Sequence, residues 1–157
     1  MGSVLQAVRD LALLLGRMGL GAILILHGYR RWRSQGIASQ TAYLQRFATP
    51  YPEVAAWGGT ILELAGGLFL VVGALTPLVA LAVVAEQVLI ICYTSWHRGP
   101  YLLDGRGRYV GGYEQTAALG LLALLFVVFG AGRVSIDRLF RRSPGDSDAG
   151  YDERSPA

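Results

Sequence analysis

Apolar residues in this chain fall into long blocks separated by short polar joints. The blocks cover about residues 4–26, 54–75, 78–96 and 113–131. None alternates polar and apolar with period two, so each reads as a helix and not as a barrel strand. Each is long enough, or nearly so, to cross about 30 Å of hydrocarbon, where a backbone without water must satisfy its own hydrogen bonds. Thr76-Pro77 alone joins the second and third blocks, which predicts an antiparallel helical hairpin. Between the first and second blocks, "IASQTAYLQRF" sets Ile37, Leu44 and Phe47 on one side of a short helix, an arrangement suited to the membrane interface. "TPYP" (Thr49 to Pro52) ends that helix. "HRGPYLLDGRGRYVGG" reads as loop by its glycines. The expected fold is therefore an all-α membrane protein. A four-transmembrane-helix bundle, with a short interfacial helix between spans one and two, fills residues 1–142. Residues 143–157 are polar and acidic and read as a disordered tail.

Composition sharpens this picture. The 157 residues are 53% hydrophobic, with a mean hydropathy of +0.41. Twenty-one glycines without a triplet repeat suit closely packed membrane helices. The net charge is +3, and every basic residue is arginine. The arginines flank apolar blocks without forming a stripe, which argues against nucleic acid and for membrane lipids as partners. One cysteine, Cys92, lies inside an apolar block, so no intrachain dithiol cycle exists. Arg9 before Leu11 to Leu26 mimics a secretory signal, but "HGYRR" offers no small-residue cleavage site, and the block reads as a retained span. Four spans place both termini on one side. The arginines clustered after span four point that side to the cytoplasm, although the opposite face carries more of them.

Ionisable residues inside the spans are the chemical signal. With about 1.5 Å of rise per residue, Arg17 lies about 15 Å below the face at which His27 ends span one. Glu86 lies about 16 Å below His97, and Glu63 about 13 Å into span two. Charges at mid-membrane are costly and pair inside the bundle, so Arg17, Glu63 and Glu86 are expected to form a buried ion pair or a ligand-binding level. Gly59, Glu63 and Gly67 recur every four residues, and Arg17, Gly21 and Gly28 share a face of span one. Both stripes predict close backbone approach. Glu86, Tyr93 and His97 share one face of span three. His27, Tyr93, His97 and Glu114 are the expected rim of a pocket above the charged level. For the aromatics the competing reading is plain interfacial anchoring, and for Glu114 a helix N-terminus. No metal-ligand spacing is present.

Four motifs carry a resemblance. "GAILILHGYRRW" (Gly21 to Trp32), "LELAGGLFLVVGALTP" (Leu62 to Pro77), "GGYEQTAALGLLALL" (Gly111 to Leu125) and "GAGRVSIDRL" (Gly130 to Leu139) resemble the DoxX family of small bacterial membrane proteins. Ala131 stands where that family commonly has proline. The resemblance implies a multi-pass protein of the bacterial plasma membrane, linked to sulfur and redox metabolism. It implies partner subunits or a homo-oligomer, and related DoxD-type proteins belong to a thiosulfate:quinone oxidoreductase. No haem, flavin or iron–sulfur signature appears, so no intrinsic cofactor is expected, and any enzyme would be a complex of which this chain is one part. Quinone binding within the bundle is the leading functional expectation. A non-catalytic scaffold and a small-solute or proton pathway are the alternatives.

Overall fold

The computed structural model describes residues 2–100, 102–103, 105–107 and 109–137. The acidic tail at 143–157, and the arginines at 138, 141 and 142, lie outside them. The first block forms α1 (Gly2–Tyr29), which runs without a break into a π-helical stretch, Arg30–Gln35. The helix therefore does not stop where the apolar run stops at Leu26. "RRWRS" contains no helix breaker, and only Gly36, at φ +79°, turns the chain away. The stretch apolar enough to cross a membrane is Val4–Gln35, 32 residues, or about 48 Å.

After Gly36, α2 (Ile37–Arg46) packs on α3 (Pro52–Ile61). Leu44 is buried, with Ile37 and Phe47 half-buried, as the apolar side of "IASQTAYLQRF" predicts. Ala48 and Tyr51 take left-handed conformations around Pro50, and Pro52 opens α3. The second span continues through a π-helical stretch, Leu62–Gly66, into α4 (Gly67–Val72). Gly73, at φ +73°, ends it. The third span is α5 (Thr76–Ile90) and a π-helical stretch, Ile91–Ser95, followed by a short 3-10 turn, Trp96–Arg98.

The connection expected to be loop contains an antiparallel pair, β1 (Leu102–Leu103) and β2 (Tyr109–Gly111), with a register irregularity between Leu102 and Leu103. Glycine marks the turn between them, but the flanking Leu and Tyr-Val residues favour strands, a signal that the glycines masked. The last block forms α6 (Glu114–Phe129), 16 residues, or about 24 Å. Among the described residues three helices are long and apolar enough to cross a membrane, and α6 is apolar but shorter.

The helices meet around Leu20, Leu24, Leu70, Val83, Ala123 and Phe126. Glycine sets the closest approach. A Cβ added at Gly21 would lie 2.6 Å from the Gly67 carbonyl oxygen, and one at Gly67 would lie 2.8 Å from that of Gly21. Gly28 packs as tightly on Glu63 and Leu64. The two small-residue stripes read from the sequence thus face each other across the α1–α4 contact.

Candidate functional site

The charged centre of the bundle is built on Arg31, not on Arg17. Arg31 stands in the π-helical stretch that ends span one, and its Nη2 lies 3.0 Å from Glu63 Oε1. Its Nη1 lies 3.7 Å from Glu86 Oε1. Glu63 belongs to the π-helical stretch of span two, while Glu86 lies on α5, one turn before that of span three. Widened turns of this kind re-aim side chains and are frequent at functional sites. Gly59 leaves room for the cluster. A Cβ there would lie 2.8 Å from both the Arg31 guanidinium and Glu86 Oε1.

Arg31 extends the inward stripe of span one. Arg17, Gly21, Leu24, Gly28 and Arg31 recur in steps of four and three, which keeps them on one helical face. That spacing was the available signal. A span ended at Leu26 hides it, because depth counted from His27 sets Arg17 about two turns too high.

Arg17 is instead buried near the opposite end of the bundle. Its Nη1 donates to the Ala131 carbonyl and its Nη2 to that of Val134, both at 2.9 Å. Asp137 completes this clasp by accepting the backbone N–H groups of Leu75 and Thr76 at 2.5 and 2.9 Å. Its own N–H donates to the Gly73 carbonyl at 2.9 Å. The expected Arg17–Glu63–Glu86 level is thus corrected to Arg31–Glu63–Glu86. The "GAGRVSID" motif ties the end of α6 to span one and to the hairpin turn.

A cavity of about 630 Å³ opens beside the Arg31–Glu86 pair. Tyr43 and Leu44 of α2 cover it, Leu62 and Leu89 form apolar walls, and Tyr93 and Thr94 border its far end. The Thr94 hydroxyl donates to the Ile90 carbonyl at 2.7 Å. Of the four residues expected at a pocket rim, only Tyr93 lines this cavity; His27, His97 and Glu114 do not. His27 is half-buried one turn before Arg31, and His97 is exposed on the 3-10 turn. Glu114 opens α6 beside Tyr113, whose ring stacks on Trp96 with centroids 5.8 Å apart. A sequence reading that relied on shared membrane face could not separate residues around the circumference of the bundle.

A second hollow of about 500 Å³ lies at the Arg17 end, bordered by Arg9, Asp10, Arg133 and Asp137. Arg133 and Asp10 are 3.8 Å apart there, with Arg133 largely exposed. Among the described residues no three His, Cys, Asp or Glu side chains are grouped as for a metal ion.

Apolar helices of spanning length, joined by glycine contacts around a buried guanidinium–carboxylate cluster, define a polytopic helical membrane protein. The sequence model of the DoxX family matches residues 12–96, more than half of the chain, and the protein belongs to the DoxX family. That match contains Arg31, Glu63 and Glu86, whereas the "GGYE" and "GAGRVSID" motifs lie beyond it. No curated protein and no solved structure matches the chain.

Proposed function

We propose that this DoxX-family protein is the integral membrane subunit of a redox complex linked to sulfur metabolism, and that it holds a quinone-type amphipath in the cavity beside Arg31. The observation that carries the reading is the cavity itself. Its volume of about 630 Å³ falls within the roughly 300–1,000 Å³ usual for small-molecule sites. Leu44, Leu62, Leu89 and Ile90 suit a ring and its tail, and the Arg31 guanidinium stands at one side to donate to a ring oxygen. Electrons would have to come from partner subunits. The setting is the bacterial plasma membrane, with α6 as a fourth, shorter span and both termini in the cytoplasm.

The experiment is purification of the protein from native membranes in mild detergent, with identification of bound quinones, lipids and partner chains. Co-purification of quinone with the wild type, and its loss on filling the cavity with Leu62→Trp, is the expected result. Quinone-free protein from quinone-containing membranes would defeat the reading.

One observation favours a scaffold role instead. Arg31 bridges carboxylates from two other spans, an arrangement that can simply fix helix register. A protein without quinone but with stable partner chains would decide for the scaffold. The proton-pathway alternative rested on Arg17 sharing the level of Glu63 and Glu86, and it loses that support.

A further inference from the structure

The charged side of the cavity is unbalanced. Two carboxylates share one guanidinium, and Glu63 Oε2 and both Glu86 carboxylate oxygens are buried without a hydrogen-bond donor. Glu63 is held by Arg31 at 3.0 Å, but the 3.7 Å separation to Glu86 exceeds hydrogen-bond length. Of the two, Glu86 lines the cavity. A buried acceptor that has lost water and gained no donor is costly, so an occupant that brings an O–H group is favoured there. Beside Glu86 a carbonyl oxygen in place of that hydroxyl sets acceptor against acceptor, whereas Arg31 can donate to the oxygen of either form.

We infer that the cavity selects the hydroxyl-bearing, reduced form of its aromatic occupant over the dicarbonyl form, with Glu86 accepting the ring hydroxyl. The inference rests on the quinone-type reading above and adds the redox form that is held. It concerns binding alone: no bond is made or broken. Arg31 remains tied to Glu63 and faces the cavity with the rest of its guanidinium. The apolar walls contact the ring and tail in either form, so the difference in affinity comes from the hydroxyl.

The test uses the purified full-length protein in detergent under anaerobic conditions. Three aromatic probes, decylhydroquinone, its dimethyl ether and decylbenzoquinone, are titrated by calorimetry, with decylammonium as a cationic control. The hydroquinone should bind at least about tenfold more tightly than either, the factor expected of one hydrogen bond to a buried acceptor otherwise left without a donor. In Glu86→Gln, whose amide also donates, the advantage over the quinone should vanish while quinone binding persists. Equal affinity of the wild type for hydroquinone and quinone overturns the inference and leaves the quinone-type reading standing. Binding of none of the three overturns both. Tighter binding of decylammonium than of the hydroquinone also overturns it, because the carboxylates would then be a cation site. Should Glu86→Gln fail to fold, the wild-type ratio of hydroquinone to dimethyl ether decides the matter alone.

Discussion

Arg17 and Arg31 stand on the same face of one helix, about 21 Å apart along its axis, and their partners differ in kind. Arg17 donates to two main-chain carbonyls and so acts as a structural tie. Arg31 faces two carboxylates beside a cavity. Removing Arg31 leaves two buried carboxylates without their cation. Arg31→Ala is therefore expected to cost about 3–5 kcal/mol in reversible unfolding in mixed micelles. Arg30→Ala and Arg33→Ala, at exposed positions, should stay within about 1 kcal/mol. Equal losses at all three positions would show that the cluster does not hold the spans together.

At the scale of the element, glycine and the π-helical turns decide how closely the spans pass. Gly21 and Gly19 lie two residues apart but face different surroundings. A methyl at Gly21 meets the Gly67 carbonyl at 2.6 Å, whereas one at Gly19 meets nothing within 4 Å. Gly21→Ala must push spans one and two apart and is expected to lower stability by about 1–3 kcal/mol. Gly19→Ala should be neutral or stabilising by up to about 1 kcal/mol, because alanine is the better helix former. A melting series in detergent checks both, and a harmless Gly21→Ala would contradict the close crossing. The stripes themselves were legible in the sequence, because helical spacing alone puts Gly21, Gly28 and Gly67 on inward faces. The π-helical turns were not. "RRWRSQ", "LELAG" and "ICYTS" carry no local signature of widened winding, which depends on what each stretch packs against.

Across the whole molecule, three distant segments meet in one clasp. Arg17 of span one, the turn from Gly73 to Thr76, and Ala131 to Asp137 after α6 share hydrogen bonds. Gly73 is confined twice, by its positive φ and by the Arg17 guanidinium that fills the place of a side chain. Because the contacts share one small region, Arg17→Ala and Asp137→Ala should be non-additive by at least about 0.5 kcal/mol in a double-mutant cycle. Strict additivity would mean that the two residues stabilise separate units. The clasp also gives a physical role to the Gly-x-Gly-Arg-x-Ser-x-Asp motif. Its carbonyls receive Arg17, its serine donates to the Gly132 carbonyl at 3.0 Å, and its aspartate caps the start of α5.

The sequence by itself determined the helical blocks, the short helix between spans one and two, the inward placing of Glu63 and Glu86, and a tight joint between spans two and three, although the turn is Gly73 to Leu75 and Thr76-Pro77 already open α5. Each follows from local rules: hydropathy over a span's length, proline at a helix start, and the cost of a charge facing lipid. The partner of the carboxylates required the tertiary structure. Depth counted along separate helices depends on where each one ends, and span one continues nine residues beyond its last aliphatic residue, Leu26. Only the packed chain shows that Arg31 reaches both carboxylates while Arg17 closes the other end. The same holds for the cavity, since its walls come from α2, α3 and α5 and the space between them belongs to no single segment.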